Sequence, residues 1–302
     1  MKFVQPEVFL IAKSTVQDAE VAEWLRRLGC SEQTISNYGD TRDSHGLSLK
    51  TNGERLIEMA GRRCYLSFQP DLNPNVTRIR ADITEYCENI LRQSHGSVLE
   101  HASFTFAIEG VSRVFTGEMN RHRAGVAVSE GSMRYIRFND IPCTQTPLLT
   151  ITDTDKEDDD YKKYERMNMD GNILSLNSVA YKKARTREVF ERLFGFAEMC
   201  YSDLQCIWYD ELKPESTFKW KKHITSLIRR IIPMGVATGG VWTMNIRALR
   251  HICAMRCSEA AEEEIALVAG KMLEIMMREE PSLFGDFHLN EKMYWTPKYA
   301  KV

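Results

Sequence analysis

Apolar residues recur three or four positions apart along most of the chain, a spacing that places them on one face of a helix. This pattern predicts helices over residues 16–28, 54–65, 76–93, 111–123, 181–209, 215–232, 246–256 and 259–279. Alternation of apolar and polar residues predicts a strand over 103–108, ended by Gly110, and residues 8–12 read as a further short strand. The chain is therefore expected to be an α+β protein, rich in helices and with few strands.

Several segments lack the helical periodicity. Residues 31–52 are rich in Ser, Thr, Asn, Asp and Gly, which is typical of a loop, and residues 1–53 are interpreted as an N-terminal extension to the core. Residues 150–177 are polar, and the acidic run 157–160 is typical of a solvated loop or the start of a helix. Residues 235–240 contain several glycines, which predicts a segment without regular secondary structure.

Composition and charge narrow the functional classes. The chain has 302 residues with a formal net charge of −2, and its arginines are clustered locally. A general nucleic-acid binder would carry a basic face, so the near-neutral balance favours small anionic ligands instead. No apolar run reaches the roughly 18 residues of a membrane span. The first residues lack the layout of a secretory signal, so a cytoplasmic protein without a membrane partner is expected.

Cysteine and histidine spacing gives no sign of a metal. The eight cysteines include no C-x-x-C pair, so free and mostly buried thiols are expected. His95 and His101 flank Glu100 but lack the H-E-x-x-H spacing of a helical zinc site, and Gly96 favours a turn. No metal site is predicted. The turn is expected to offer an imidazole and a hydroxyl to a ligand.

The densest cluster of chemically versatile side chains spans residues 121–135. It begins with Arg121-His122-Arg123, and small apolar residues separate this run from a carboxylate, a hydroxyl and a further guanidinium: Glu130, Ser132 and Arg134. Guanidinium groups bind phosphates bidentately, and small residues let a backbone approach a ligand closely. The cluster therefore indicates a site for phosphorylated small molecules, with solvated surface arginines as the alternative explanation.

The orientation of these side chains depends on the predicted helix over 111–123. On a helix Arg121 and Arg123 point in different directions, so they would contact different parts of a ligand. Glu118 lies one turn before Arg121 and shares its face.

A second basic cluster lies on the predicted helix 246–256. Arg247, Arg250 and His251 share one face, Arg256 lies on a nearby face, and Asn245 suits the N-cap position. Cations crowded on one short helix repel each other unless anions bind between them. This cluster therefore also favours an anionic ligand.

Taken in chain order, these pieces resemble the flavin-dependent thymidylate synthases. The resemblance covers roughly residues 54–138 and 216–285 and rests on a series of ordered pieces: Arg63-Cys64-Tyr65, Ser94 through His101, Phe104-Thr105-Phe106, Gly110 through Arg113, Glu118 through Arg123, Ser132 through Tyr135, Arg229 through Pro233, Asn245 through His251, and Arg256. Each piece is weak alone, and their order and spacing carry the resemblance. It implies one catalytic domain over 54–302 with a small central antiparallel sheet and an insertion at about 139–181.

The resemblance also implies a reaction and its partners. The family methylates C5 of deoxyuridylate, converting dUMP to dTMP. Methylenetetrahydrofolate supplies the carbon, and FAD passes on reducing power from NADPH. A homotetramer with active sites shared between subunits is implied as well. Met272, Met276 and Met277 on the last long helix would suit such an interface, or equally a core.

Site residues follow by carrying the family's motifs onto matching positions. The residues implied to bind FAD are Ser97, Arg121, His122, Arg123, Glu130, Asn245, Arg247 and His251. Those implied to bind the nucleotide are Glu118, Arg121, Ser132, Arg134, Arg229 and Arg256. His95 would lie near the flavin and the folate. Arg256 would face the uracil, where a guanidinium stabilises the negative charge that forms as N3 loses its proton.

One departure from the family pattern leaves the substrate open. The family has seven residues between Arg-His-Arg and the next serine, whereas eight residues (124–131) precede Ser132 here. A related enzyme acting on UMP or another pyrimidine nucleotide, or leaving a hydroxymethyl group, is the first alternative. A binding protein that has lost catalysis, or a nucleic-acid binder that uses these arginines, is the second. The colour of bound flavin would distinguish the enzyme from the binding protein.

Overall fold

The computed structural model describes residues 2–39, 49–166 and 176–301. The chain divides into two compact units. Unit 1 comprises Met1–Glu7, Ile108–Met119 and Ser129–Gly240, and unit 2 comprises Val8–Ala107, Asn120–Val128 and Val241–Val302.

Helices account for most of the regular structure in the described part of the chain. They are α1 (Asp18–Arg27), α2 (Glu32–Ser36), α3 (Asn52–Tyr65), α4 (Ile83–Arg92), α5 (Arg113–Met119), α6 (Asp153–Glu157), α7 (Asp159–Arg166), α8 (Val179–Ile207), α9 (Tyr209–Leu212), α10 (Phe218–Ile228), α11 (Ile246–Arg256), α12 (Glu263–Glu279) and α13 (Pro281–Phe284). Short 3₁₀ helices span Gly96–Glu100, Pro147–Leu149 and Arg229–Ile231.

The strands form one small central sheet and two short pairs. The strands are β1 (Lys2–Val4), β2 (Glu7–Lys13), β3 (Ser103–Ser112), β4 (Val126–Glu130), β5 (Pro142–Thr144), β6 (Ala237–Asn245), β7 (Phe287–Leu289) and β8 (Trp295–Pro297). The four-stranded antiparallel sheet has the order β2-β3-β6-β4. β1 pairs with β5 in parallel, with Phe3 opposite Cys143, and β7 pairs with β8 in antiparallel fashion. The predicted helix-rich α+β class with a small antiparallel sheet is confirmed.

The prediction of one helix over 111–123 is wrong. Residues 111 and 112 belong to β3, and α5 begins at Arg113 because the Ser112 hydroxyl accepts hydrogen bonds from the amides of Val114 and Phe115 at 3.1 and 3.2 Å. α5 ends at Met119, so the Arg-His-Arg run follows the helix instead of lying on it. β4 follows this run after a turn at residues 124–125.

Other boundaries also differ from the sequence pattern. The helix predicted over 76–93 begins only at Ile83, because the Asp82 carboxylate caps the amide of Glu85 at 2.7 Å. The connection predicted over 235–240 contains the start of β6, and β3 continues through Gly110 (φ +71°) instead of ending there.

The polar segments contain short helices. α2 begins after Ser31, whose hydroxyl accepts a hydrogen bond from the amide of Thr34, although residues 31–52 were expected to form a loop. The remainder of that segment includes residues 40–48, which lie outside the described residues. α6 and α7 occupy part of 150–177, consistent with the expectation of a helix start there, and residues 167–175 lie outside the described residues.

Each unit has its own apolar core. In unit 1, α8 packs Phe194, Ala197 and Tyr201 against Ile228 of α10. In unit 2, Met272 and Met276 of α12 are fully buried, so the core interpretation of this methionine stripe is correct for these two residues.

Candidate functional site

In unit 2, the Arg-His-Arg run meets the end of α11. The Nε atom of Arg256 donates a hydrogen bond to Nε2 of His122 at 3.0 Å. The rings of His122 and His251 lie edge to face with centroids 6.1 Å apart. Two widely separated segments of the chain, the Arg-His-Arg run and α11, are thereby brought together, as expected if they serve one site.

The protonation state of His122 follows from this arrangement. Burial lowers the pKa of His122, and the neighbouring charges of Arg256 and His251 lower it further. The imidazole is therefore neutral at neutral pH, which leaves Nε2 able to accept the hydrogen bond from Arg256.

Asn245 connects the Arg-His-Arg segment to α11 in two ways. Its carboxamide oxygen caps α11 by accepting a hydrogen bond from the amide of Ala248 at 2.9 Å, as the sequence predicts. The backbone N–H of Asn245 donates a hydrogen bond to the backbone carbonyl of Gly125 at 3.0 Å. Gly125 has a positive φ of 69°, and a Cβ there would lie 2.5 Å from Nδ2 of Asn245. Residue 125 must therefore be glycine for this contact to form.

Three more predicted residues, His95, Ser97 and Arg247, line a cavity of about 710 Å³ in unit 2. Ser97 lies on the 3₁₀ helix Gly96–Glu100, which follows the turn at His95. Arg247 donates a hydrogen bond to Glu100 at 2.6 Å. The described residues that line the cavity include four arginines and one histidine but no aspartate or glutamate. Such a lining favours an anionic ligand.

Arg250 does not belong to this basic surface. Its side chain is 2% exposed, and it binds the Asp286 carboxylate through two hydrogen bonds of 2.6 and 2.9 Å. It also donates to the carbonyl of Tyr299 at 3.2 Å. The expectation that it shares an anion-binding face with Arg247 is wrong, because a buried guanidinium needs a paired carboxylate.

In unit 1, one arginine that was given no role holds the segment that carries the predicted nucleotide residues. Arg113 forms an ion pair with Glu130, donates to the carbonyl of Gly131 at 2.5 Å, and contacts Sδ of Met133 at 3.1 Å. Burial lowers the pKa of Arg113, and the charge of Arg229 lowers it further. In the sequence, Arg113 is distinguished only as the last residue of the Gly110–Arg113 motif, one of those that carry the family resemblance.

The segment of unit 1 that carries the predicted residues Ser132 and Arg134 contacts α10. Arg134 is exposed and donates from Nε to the hydroxyl of Ser226 at 3.3 Å. Tyr135 stacks on Phe218 with ring centroids 5.8 Å apart. Ser132 is half-buried, and its carbonyl accepts a hydrogen bond from the amide of Tyr135 at 3.0 Å.

The structure thus distributes the predicted residues over both units. Unit 2 contains the implied FAD residues other than Glu130. Unit 1 contains Glu118, Glu130, Ser132, Arg134 and Arg229. Within the described residues there is no cluster of three or more His, Cys, Asp or Glu side chains that could hold a metal ion, and no helix long and apolar enough to cross a membrane.

Comparison with known proteins identifies the family. The family model described as "Thymidylate synthase complementing protein" matches residues 47–282. A flavin-dependent thymidylate synthase of Mycobacterium avium is 32% identical over 237 residues, covering 78% of this chain and 80% of that protein. One from Corynebacterium efficiens is 30% identical over 265 residues, covering 87% and 88%. The chain belongs to the family of flavin-dependent thymidylate synthases, which are methyltransferases.

A solved structure supports the fold. The UMP/dUMP methylase PolB from Streptomyces cacaoi, solved with 5-Br UMP, aligns with a TM-score of 0.56 over 94% of each chain at 14% identity. At this identity the similarity supports the fold and nothing finer.

Membership in the family implies FAD, and the residues present fit that cofactor. The pyrophosphate of a flavin dinucleotide is an oxyanion, and Ser97 and Arg247 offer a hydroxyl and a guanidinium to a cavity with no acidic side chain among its described lining residues. The guanidinium, imidazole, amide and hydroxyl groups of unit 2 are the donors that such a group requires.

Proposed function

We propose that this protein methylates C5 of a pyrimidine nucleotide, converting dUMP to dTMP with methylenetetrahydrofolate as carbon donor and NADPH as reductant. FAD, when bound, supplies the electron transfer that the reaction needs. The observation that carries the proposal is the convergence of His122, Asn245, His251 and Arg256 in unit 2. These residues come from two motifs more than a hundred positions apart, and each motif was assigned to flavin or nucleotide binding.

Arg256 has the central role toward the nucleotide. Its guanidinium would face the uracil and stabilise the negative charge that forms when N3 loses its proton, which makes C5 a better nucleophile. The neutral imidazole of His122 accepts the hydrogen bond from Nε and so fixes the direction of the guanidinium. An arginine suits this role better than a lysine because its planar fork matches the edge of a pyrimidine.

The FAD-binding residues would be Ser97, Arg121, His122, Arg123, Glu130, Asn245, Arg247 and His251. His95 would lie near the flavin and the folate. The position of His95, Ser97 and Arg247 on one basic cavity supports this assignment for those three.

The nucleotide phosphate would be bound by Arg134 and Arg229, with Glu118, Arg121 and Ser132 completing the nucleotide site. The exposed side chain of Arg134, on the same segment as Ser132, supports the assignment.

A UMP methylase is the second candidate function. The observation in its favour is the extra residue in the interval 124–131 between Arg123 and Ser132, an interval that includes β4. A change in this segment would alter contacts with the sugar and so the choice between ribose and deoxyribose. A hydroxymethyl product is a further variant of the same hypothesis.

We also propose a homotetramer with shared active sites. Met272 and Met276 cannot form its interface because they are buried within unit 2. α8 has a suitable surface, since its exposed face carries Val189, Leu193 and Phe196 at 49, 50 and 61% exposure. An apolar helix face of this kind is typical of an interface between subunits.

The visible absorption spectrum of the purified protein tests the enzyme against the binding-protein alternative. We expect flavin absorbance, or its appearance when FAD is added, and anaerobic bleaching by NADPH. A colourless protein that takes up no FAD would contradict the proposed function.

A further inference from the structure

The cavity in unit 2 is lined by more arginines than the single one, Arg247, that is assigned to FAD. Besides Arg247, it is lined by Arg62, Arg78 and Arg80. Arg78 and Arg80 belong to the segment 73–82. This segment lies between two consecutive motifs on which the family resemblance rests, and it is part of neither. Residues 76–82 of this segment are predicted as helix from the sequence, but α4 begins only at Ile83.

The segment is held in place at its start by an asparagine turn. Nδ2 of Asn73 donates to the carbonyl of Tyr65 at 2.7 Å, and Oδ1 of Asn73 accepts from the amide of Asn75 at 3.0 Å. The carbonyl of Asn73 accepts from the amide of Val76 at 2.8 Å. These bonds fix the chain that leads to Arg78.

Farther along, a buried arginine holds the backbone of the same segment. Arg62 is bound to the Glu58 carboxylate by hydrogen bonds of 2.9 and 2.7 Å, and it donates to the carbonyls of Ser67 and Arg80 at 3.0 and 2.5 Å. Arg62 is therefore paired with the Glu58 carboxylate, which also binds Lys50, and its remaining donors position the backbone. Arg62 is a positioning residue for Arg80.

The guanidiniums of Arg78 and Arg80 are available to a ligand. Arg78 is exposed and has no hydrogen bond or ion pair within the described part of the chain. Arg80 contacts Glu85 at 3.4 Å in a pair whose side chains are 44 and 55% exposed. An exposed ion pair of this kind stabilises the protein little, so a ligand oxyanion can readily replace Glu85.

We propose that Arg78 and Arg80 form a subsite for the anionic tail of a co-substrate. This proposal rests on the proposed function, which supplies two co-substrates with such a tail: the glutamyl carboxylates of a folate and the ribose phosphate of NADPH. Both are oxyanions that guanidiniums bind bidentately. The subsite continues the cavity that His95, Ser97 and Arg247 line, so a ligand bound there would extend from the flavin region.

The test uses the full-length double variant R78Q/R80Q. Steady-state KM values are compared for methylenetetrahydrofolate with one and with several glutamyl residues, and for NADPH and NADH, together with the Kd for FAD. We expect a rise of roughly tenfold or more in the KM of the co-substrate whose tail binds there, because charged hydrogen bonds are lost. The matched control is Arg278→Gln, since Arg278 is an exposed arginine of α12 that does not line the cavity.

The pattern of KM values identifies the source of the tail. A rise confined to the polyglutamyl folate assigns the subsite to folate, and loss of the preference for NADPH over NADH assigns it to the ribose phosphate. Unchanged KM values for all four would overturn the proposal. A weaker FAD affinity with unchanged KM values would also overturn it, because Arg78 and Arg80 would then belong to the flavin site.

Equilibrium binding separates this proposal from the proposed function. Binding of polyglutamyl folate and of NADPH to wild type and to the double variant is measured by calorimetry, which needs no turnover. If wild type shows no methylation but the double variant loses affinity for one of the two ligands, the subsite stands and the proposed function fails. If methylation occurs and both affinities are unchanged, the proposed function stands and the subsite proposal fails.

Discussion

The backbone N–H of Asn245 donates a hydrogen bond to the backbone carbonyl of Gly125 at 3.0 Å. The side chain of Asn245 fills the space where a Cβ of residue 125 would lie. This contact joins the Arg-His-Arg segment to the N-terminus of α11. It requires a positive φ and the absence of a side chain at residue 125, so it is sensitive to a single methyl group.

Gly125→Ala is expected to weaken FAD binding. Alanine at a φ of 69° costs about 1–2 kcal/mol, and its Cβ would displace the Asn245 carboxamide. FAD titration followed by flavin fluorescence measures the effect, with Tm recorded in parallel. Gly270→Ala is the control, because nothing lies within 4 Å of a Cβ there and alanine favours the α12 helix. Unchanged FAD affinity in Gly125→Ala would contradict the role assigned to this contact.

Arg256→Ala is expected to abolish product formation while leaving FAD binding largely intact. The guanidinium is assigned to the pyrimidine, and the FAD-assigned side chains His122 and His251, which contact each other edge to face, are both kept in the variant. Turnover with dUMP and the Kd for FAD are measured side by side. Arg256→Lys keeps the charge but loses the planar fork, so we expect intermediate activity. Near-native turnover of the alanine variant would show that Arg256 has another role.

Arg113→Gln is expected to raise the KM for the nucleotide more than the Kd for FAD, because Ser132 is assigned to the nucleotide and Glu130 is the one FAD-assigned residue that pairs with Arg113. The variant loses the ion pair with Glu130 and the bond to the carbonyl of Gly131, which hold the segment that carries Ser132. Charged hydrogen bonds contribute about 1.5–3 kcal/mol, which corresponds to a rise of roughly 10- to 100-fold. Arg192→Gln, an exposed arginine on α8, is the control. An equal loss in kcat and FAD affinity would indicate a general folding defect instead.

The free energy of unfolding is expected to fall as pH rises because of Glu280. Burial raises the pKa of Glu280 to about 8, and the carboxylate of Glu54 adds to the shift, whereas a hydrogen bond from Thr51 and the charge of Lys13 oppose it. The folded state then keeps a proton that the unfolded state releases. The stabilisation is complete below the ordinary glutamate pKa and is lost as pH rises to about 8, with a slope of at most about 1.4 kcal/mol per pH unit.

Urea denaturation of wild type and Glu280→Gln across this range measures the slope. The variant keeps a neutral side chain at every pH, so its slope should be smaller than that of wild type. Glu279→Gln is the control, since Glu279 pairs with Lys13 on the surface at 2.7 Å. Identical slopes for wild type and Glu280→Gln would mean that Glu280 does not hold a proton in the folded state.

The sequence predicts a helix correctly where an N-capping residue directly precedes a segment whose apolar residues follow helical spacing. For α11, Asn245 supplies the cap and the buried positions follow helical spacing, and the predicted range 246–256 coincides with the observed one. α5 fails because Val111 and Phe115 are spaced as on a helix, yet Val111 belongs to β3. Local spacing cannot reveal a junction at which a strand passes directly into a helix.

β6 was missed because its glycines read as a loose connection. Gly239 lies in the strand, its carbonyl accepts a hydrogen bond from the amide of Gly131 at 2.8 Å, and an added Cβ would meet the Glu109 carboxylate. These glycines mark close packing, which a single sequence cannot distinguish from flexibility.

The candidate site was predicted more completely than the contacts that support it. The residue types and spacing indicate His122, Asn245, His251 and Arg256, and the structure brings them together. Arg113 and Gly125 were given no role because their partners lie on other segments of the chain. The burial of Arg250 likewise depends on Asp286, which no local pattern connects to it.

Product mass tests the central claim most directly. The flavin-loaded protein is incubated anaerobically with NADPH and methylenetetrahydrofolate, and with dUMP or UMP in parallel, and the nucleotide products are identified by mass spectrometry. We predict a product from dUMP that is heavier by one CH₂ group and that requires every component. Recovery of unmodified dUMP and UMP from flavin-loaded protein would contradict the account.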